Sequence, residues 1–142
     1  MRVTQGAFSF LPDLSDEQIG AQIEYCLRQG WAVSIEYTDD IHPRNTYWEM
    51  FGHPMFDLSD AAGAMAELRE CRTMFPEHYI RINAFDSTIG WETIRHSFIV
   101  NRPAYEPGFR LRRIEGPGRT QRYSVEPYAT DRAEGERYRR AG

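Results

Sequence analysis

The segment from Arg44 to Leu58 is the densest cluster of aromatic and methionine residues in the sequence. Its first half predicts a β-strand over Thr46–Phe51, closed by Gly52-His53-Pro54, and successive side chains of a strand point to opposite faces. The two faces carry Tyr47, Glu49 and Phe51 on one side and Trp48 and Met50 on the other. Because neither face is plainly polar, we expect part of this strand to be covered by another protein surface.

Charge is unevenly distributed along the chain, and all 17 of its basic residues are arginine. Residues 1–103 contain 8 arginines against 15 acidic residues, a net charge of −7, whereas residues 104–142 contain 9 arginines against 6 acidic residues, a net charge of +3. An acidic body argues against a nucleic-acid platform, which needs a basic face. The absence of lysine excludes a Schiff base and a P-loop lysine.

The length of 142 residues indicates one domain. No apolar run approaches the ~20 residues that a membrane-spanning helix needs, and the chain does not begin with a signal-peptide pattern. We therefore expect no membrane partner, and a location in the cytosol or in the interior of a plastid.

Two helices are predicted from their capping patterns and apolar stripes. Ser15 and Gln18 have the spacing of a capping box, and Gly30 supplies the stop of the first helix. A second helix begins at Ser59 or Asp60 and ends before Pro76. The apolar stripes comprise Ile19, Ile23, Cys26 and Leu27 in the first helix, and Ala61, Met65, Leu68, Cys71 or Arg72, and Phe75 in the second.

Three further strands are predicted by alternation, over Trp31–Thr38, Tyr79–Asp86 and Thr93–Asn101. In the last of them, the alternation places Ile94 on the same face as Phe98 and Val100. The order along the chain is helix, strand, strand, helix, strand, strand. The simplest architecture that buries all the apolar stripes is an α+β fold, in which a four-stranded antiparallel sheet is covered on one face by two helices.

The end of the chain predicts an addition to that core. Phe109–Ile114 and Arg122–Glu126 flank Gly116-Pro117-Gly118 and indicate a C-terminal β-hairpin, which needs another surface because an isolated hairpin is marginally stable. We accordingly predict a core domain with an N-terminal arm over residues 1–107, a hairpin extension over 108–129 and a disordered, charged tail over 130–142.

Candidate catalytic or metal-binding residues are few. Asp39, Asp40 and His42 share one loop and have the chemistry to hold a metal ion or a proton, although adjacent aspartates between strands more often form turns. Cys26 and Cys71 are too few for a disulfide framework and are predicted to be buried free thiols. Two readings stay open at this point: an interaction subunit, and a stand-alone α+β metal- or ligand-binding domain that uses the Asp39, Asp40 and His42 loop.

Several motifs occur in a fixed order over nearly the whole chain. They are Thr4-Gln5-Gly6, Phe8–Pro12, Gln22–Tyr25, Gly30-Trp31, Pro43–Leu58, Tyr79–Asp86 and Ser97–Pro103. In this set the chain resembles the small subunit of form I ribulose-1,5-bisphosphate carboxylase/oxygenase (RuBisCO). The short loop before Arg44 and the hairpin after Pro107 resemble the red-type lineage of proteobacteria and non-green algae.

The resemblance implies a role without chemistry in this chain. In that family, eight small chains cap the two ends of an octameric core of large chains, which hold the carbamylated lysine, the magnesium ion and the sugar bisphosphate. It implies that this chain binds no cofactor, stabilises the large-subunit core and modulates carboxylation and oxygenation of ribulose 1,5-bisphosphate in the Calvin cycle. The expected location is the bacterial cytoplasm, or the plastid stroma in a non-green alga.

The resemblance and the strand alternation together predict the contact residues. Trp48 and Met50 are assigned to the chain's own core. The hairpins of red-type relatives contact one another in the central channel, which implies contacts between small chains. The large-subunit contacts are predicted at Asn45, Tyr47, Glu49, Phe51 and Pro54, and the contacts between small chains at Phe109, Arg110, Arg112 and Tyr123.

Overall fold

The structure is a computed structural model that describes residues 14–40, 47–56, 58–89, 93–104, 109–127 and 131–138. For residues 89, 93, 109–112, 114, 119 and 122–127 the description covers the backbone alone. The N-terminal arm, Asn45 and His42 lie outside the described residues.

Both predicted helices form. The first, α1, spans Asp16–Arg28 and begins with the predicted capping box, because the Ser15 hydroxyl accepts from the Gln18 amide while the Gln18 side chain accepts from the Ser15 amide. Gly30 follows α1 with φ of +79°, a conformation that glycine adopts without the penalty of a Cβ. The second helix, α2, spans Ala62–Met74.

The sheet has the predicted four antiparallel strands, so the α+β prediction is confirmed. The strands are β1 at Ala32–Thr38, β2 at Glu49–Met55, β3 at Tyr79–Asp86 and β4 at Thr93–Asn101. Their spatial order is β2-β1-β3-β4, which leaves β2 and β4 at the edges. The bounds of β3 and β4 follow from local sequence signals, because each run of strand-forming residues is followed by a turn or a proline.

One hydrophobic core lies between the two helices and one face of the sheet. It contains Ile19, Ile23 and Cys26 of α1, Ala64, Met65, Leu68 and Cys71 of α2, and Val33, Ile35, Ile80, Ile82, Ala84, Phe98 and Val100 of the strands. Arg72 ties the layers together at the rim, since its guanidinium donates at 2.7 Å to Asp16 of α1 and at 2.7 Å to the carbonyl of Val100 in β4.

The bounds of β2 differ from the prediction. The strand runs on through Gly52-His53-Pro54, which was expected to close it, because these three residues form a bulge opposite Ser34 of β1. The bulge places Val33 opposite Met55 but Ile35 opposite Phe51, and Gly52 bends the chain with φ of +70°. Proline is tolerated here because β2 is an edge strand.

A second irregularity corrects the predicted faces of β4. The register shifts between Ala84 and Phe85 of β3, so that His96 lies opposite Ala84 while Ile94 lies opposite Phe85. Ile94 is therefore 40% exposed and does not share the core face with Phe98. Simple alternation cannot anticipate such a shift, because the extra residue is visible only in the pairing of two strands.

The C-terminal hairpin is present as a separate two-stranded sheet. Strand β5 at Phe109–Glu115 pairs with β6 at Gln121–Pro127, and the two meet at a turn over Pro117–Arg119. Gly116 is required at the entrance to the turn, since an added Cβ would lie 2.7 Å from the Thr120 hydroxyl oxygen.

The described part of the tail differs from the predicted disorder. Residues 131–138 fold back on the body, and the Tyr138 side chain is buried against Tyr79 of β3. Composition did not predict this fold, because the segment is charged and contains one aromatic residue. That residue supplies enough apolar area to anchor a short turn once it is buried against the body.

Candidate interaction surface

The start of β2 and the residues that flank the strand expose large side chains. Tyr47 is 77% exposed, Met50 is 40% exposed and Phe56 is 52% exposed. Isolated exposed apolar residues are common on proteins, but these three lie in one stretch, residues 47–56, that contains the edge strand β2. A concentration of this kind is typical of a surface that another protein covers.

An aromatic cluster supports this surface from the helix side. The rings of Tyr37 and Phe75 stack with centroids 4.0 Å apart, and Phe51 and His78 contact both rings edge-on. The Tyr37 hydroxyl donates to the Glu49 carboxylate at 2.9 Å. Burial and this carboxylate raise the pKa of Tyr37 to about 12, so the phenol keeps its proton and holds Glu49 in place.

A cleft of about 440 Å³ opens beside the aromatic cluster. One wall is formed by Tyr47, which precedes β2, and by Glu49 at its start. The other wall is the C-terminal segment, with Glu134 and Arg137. Burial lowers the pKa of His78, which lines the floor, so its imidazole is neutral at pH 7 despite the carboxylates around it.

The predicted contact residues in and beside β2 differ in exposure. Tyr47 and Glu49 are exposed, as an interface requires, whereas Phe51 is half-buried and packs against the core below the helices. Pro54 is half-buried within the bulge. Trp48 is 6% exposed and so is buried as predicted, but it lies under Arg81 on the face of the sheet that the helices do not cover. Met50 is exposed, and its assignment to the core is wrong. Met50 lies opposite Glu36 on the face of the sheet that the helices do not cover.

The burial of Trp48 depends on two residues that the sequence reasoning did not select. Arg81 of β3 places its guanidinium 4.2 Å from the centre of the Trp48 ring. The same guanidinium donates twice to one oxygen of Glu36 in β1, at 3.0 Å and 2.7 Å. Glu36 and Arg81 are direct cross-strand partners, and opposite charges at matching positions of two alternating strands were the available signal.

The alternative metal site receives no support from the geometry. The Asp39 carboxylate accepts from Arg137 Nη1 at 3.1 Å and from the Gly135 amide, and Arg137 also lies 3.9 Å from Asp40. In the part of the chain that the structure describes, no three His, Cys, Asp or Glu side chains group as metal ligands. Asp39 and Asp40 serve instead to hold the C-terminal segment.

Both cysteines are buried free thiols, as predicted. Burial raises the pKa of Cys26 to about 11 and that of Cys71 to about 12. Neither thiol is therefore ionised at pH 7, and a thiolate nucleophile at either position is excluded.

The four hairpin residues predicted to contact other small chains lie on the described strands. Phe109 pairs with Pro127, Arg110 with Glu126, Arg112 with Ser124, and Arg113 with Tyr123. Since side chains alternate along a strand, Arg110 and Arg112 share one face of the hairpin. Their side chains lie outside the described part of the structure.

Taken as a class, the chain is a small α+β sandwich with an exposed aromatic edge strand and a separate arginine-rich hairpin. Neither described helix has the length and apolarity that crossing a bilayer requires.

Comparison with known proteins identifies the family. The family model described as ribulose bisphosphate carboxylase, small chain, matches residues 5–103. A plasmid-encoded small subunit of ribulose bisphosphate carboxylase from Cupriavidus necator is 69% identical over 139 residues, which cover 97% of this chain and 100% of the relative. The small subunit from Cyanidioschyzon merolae is 63% identical over 138 residues, also covering 97% of this chain and 100% of the relative.

A solved structure agrees with these sequences. A chain of RuBisCO from Galdieria partita matches with a TM-score of 0.85 at 50% identity, and the match covers 97% of this chain and 100% of that chain. The chain belongs to the small-chain family of ribulose bisphosphate carboxylase, and the resemblance seen in its sequence motifs is confirmed. The family model ends at residue 103, but these relatives extend through the hairpin region as well.

Proposed function

We propose that this chain is a non-catalytic subunit that caps the octameric core of RuBisCO large subunits, stabilises that core and modulates its carboxylation and oxygenation of ribulose 1,5-bisphosphate. Tyr47, the most exposed large hydrophobic side chain in the described part of the chain, carries this proposal. A tyrosine that is 77% exposed, and adjacent to a buried tryptophan, presents apolar area that only a partner can remove from water.

The large-subunit contacts in this proposal centre on the outer side of β2. Tyr47 and Glu49 are exposed, and Pro54 is half-buried within the strand. Asn45, which precedes this segment in the sequence, is included in the proposal from the sequence alone. Phe51 acts indirectly in this proposal, because it packs against the Tyr37 and Phe75 rings that support the surface. Aromatic residues at the centre of an interface supply most of its binding energy.

The magnesium ion, the carbamylated lysine and the sugar bisphosphate belong, in this proposal, to the large subunit. Two features of this chain support that division. The sequence contains no lysine that could be carbamylated. The aspartates that were the candidate metal ligands are held by Arg137.

The hairpin is proposed to contact other small chains. Its strands pair only with each other among the described strands, and a two-stranded sheet of this kind needs a further surface for stability. The net charge of +3 over residues 104–142 is complementary to the net charge of −7 over residues 1–103 of a neighbouring copy. The proposed contacts are Phe109, Arg110, Arg112 and Tyr123. The proposed location is the bacterial cytoplasm or the plastid stroma.

The test is Tyr47→Ala in the chain co-expressed with a large subunit. We expect the variant to dissociate from the large subunit at a concentration about tenfold to a hundredfold higher than the parent, as loss of an aromatic anchor implies. The matched control is Tyr25→Ala, because Tyr25 is a half-exposed tyrosine on α1, away from β2. Equal effects of the two substitutions, or no effect of Tyr47→Ala, would show that β2 does not form the interface.

A further inference from the structure

The segment 131–138 is fixed to the body by a buried aromatic contact. Tyr138 is 2% exposed, and its ring meets that of Tyr79 edge-on with centroids 5.1 Å apart. Tyr79 is the first residue of β3 and is itself buried. Burying a whole aromatic side chain is the strongest apolar contribution that one residue can make.

Polar contacts of Gly135 and Arg137 fix the same segment. Asp39 is 5% exposed and is held by Arg137 and by the Gly135 amide. Gly135 has φ of +86°, a conformation that presents its amide to the carboxylate and that favours glycine. Removal of either partner of an ion pair this shielded from solvent destabilises the fold, because the other charge is left without compensation.

The chain that leads into the hairpin is fixed at the same corner of the sheet. At the end of β4, the Asn101 side-chain amide donates to the carbonyl of His78 at 2.9 Å. His78 is the neighbour of Tyr79, and Tyr79 lies opposite Thr38, the residue before Asp39. The anchors before and after the hairpin therefore lie at one corner, where β1 ends and β3 begins.

Short connections join these anchors to the hairpin. Pro127 is followed by three residues before Asp131, so the two Cα atoms are at most ~14 Å apart in a fully extended chain. Ala104 is followed by four residues before Phe109, a span of at most ~18 Å. A hairpin attached through one strand can swing about a point, but one held at both ends by short connections has far fewer orientations.

We propose that residues 131–138 form a clasp that fixes the base of the β5–β6 hairpin on the corner of the sheet and so sets the direction in which the hairpin projects. Tyr138, Arg137 and Asp39 are the residues that close the clasp. Where the hairpin contacts other small chains, as proposed above, the clasp lowers the entropy lost on assembly because the hairpin is already oriented. The clasp itself depends only on contacts within one chain.

Hydrogen–deuterium exchange on the assembled complex tests the clasp. The variants are Tyr138→Ala, which removes the buried ring, and Arg137→Gln, which removes the ion pair and is the milder change. The matched control is Glu136→Gln, which removes a charge from an exposed side chain of the same segment. We expect exchange of the hairpin amides 109–127 to accelerate about tenfold in Tyr138→Ala and about threefold in Arg137→Gln, with the control and helix α1 unchanged.

Two outcomes would overturn the clasp. Unchanged exchange in the hairpin would show that something else fixes its direction. Equal acceleration in α1, β1 and the hairpin would show that residues 131–138 stabilise the body as a whole. Mass measurement of the complex separates this test from the proposed function. If the parent chain does not assemble with a large subunit, the proposed function fails, and the same exchange measurement on the free chain still tests the clasp.

Discussion

Arg81 occupies a demanding position, because one guanidinium serves two neighbours on the face of the sheet that the helices do not cover. It lies over the Trp48 ring and donates twice to Glu36. The side chains of Arg81 and Glu36 are only 18% and 14% exposed. Breaking such a pair destabilises the fold, because it leaves an uncompensated charge in a partly dehydrated site.

We predict that Glu36→Gln lowers the free energy of unfolding by ~2 kcal/mol, because it leaves the Arg81 cation without a partner anion. Urea-induced unfolding followed by tryptophan fluorescence measures the change. Glu70→Gln on the exposed face of α2 is the control and should change the free energy by less than ~0.5 kcal/mol. A loss no larger than that of the control would mean that the ion pair does not stabilise the fold.

His78 makes the stability of the chain dependent on pH. Burial depresses the pKa of this imidazole below its ordinary value of 6.5, so the unfolded state binds a proton at a higher pH than the folded state does. The contribution of the neutral His78 to stability is fully present above pH 6.5 and is lost as the pH falls from there through the depressed pKa. We predict that the decrease in stability between pH 7.5 and pH 5.5 becomes smaller in His78→Gln.

Urea unfolding at the two pH values measures this difference, and His53→Gln is its control because His53 is exposed. The His53 variant should keep the full pH dependence of the parent. If His78→Gln keeps it as well, then His78 does not control the stability in this pH range.

Residue roles were predictable where they depend on local pattern alone. Both cysteines were correctly assigned to the interior, since each lies on the apolar stripe of a helix. Trp48 is also buried, but through its contact with Arg81 and not through the core beneath the helices. Met50 was assigned wrongly, because the alternation of a strand separates its two faces without showing which of them the helices cover. Opposite charges on β1 and β3 signal the pairing of Arg81 with Glu36, but the contact of Arg81 with Trp48 requires a third segment, which the pattern of one strand does not show.

At the scale of elements, α2 depends on a cap that comes from another helix. Ala61 stands at its N-cap and has no side-chain oxygen to accept a hydrogen bond. Glu24 of α1 accepts from the Ala61 amide at 2.9 Å, and Asp60 accepts from the Ala62 amide at 2.9 Å. The start of α2 is therefore fixed to α1, and the two helices stabilise each other.

Removing this cap tests the coupling. Glu24→Ala should lower the free energy of unfolding by ~1 kcal/mol, since it leaves a helix amide without an acceptor. Glu24→Gln keeps an acceptor oxygen and should retain most of that stability, as measured by urea unfolding. If Glu24→Gln costs as much as Glu24→Ala, the contribution comes from the negative charge near the helix N-terminus and not from the hydrogen bond.

Elements were predicted well where both ends carry a signal. The capping box and Gly30 defined α1, and β3 and β4 have the predicted bounds. The bounds of β2 were missed because its bulge absorbs Gly52 and Pro54, which in sequence look like the end of a strand. The fold of residues 131–138 was missed because its stability comes from distant partners on β1 and β3.

For the whole molecule, the hairpin is expected to contribute to assembly. We predict that deletion of residues 108–142 reduces the number of small chains bound per large-subunit core, because it removes both the hairpin and the clasp. Replacing only residues 109–127 with a flexible glycine-serine linker keeps the clasp and should reduce the number to a similar extent. Native mass spectrometry and calorimetry measure the stoichiometry and the thermal stability. If both are unchanged in both variants, the hairpin does not contribute to assembly.

The family could be identified from the sequence, whereas the surface that contacts the partner stays a prediction. Motifs spread over nearly the whole chain define the family, and they reflect the fold and its surface together. The proposed contact of a large subunit with Tyr47 is a property of two chains, and alternation within one chain gives only candidate residues for it.

The most direct test of this function is co-expression with a RuBisCO large subunit, followed by native mass measurement of the purified assembly. The structure and family predict one stable complex with equal numbers of large and small chains, whose small chains are lost more readily when Tyr47 is replaced by alanine. If the small chain instead separates from every large subunit as a stable monomer, its proposed role in capping the core is contradicted.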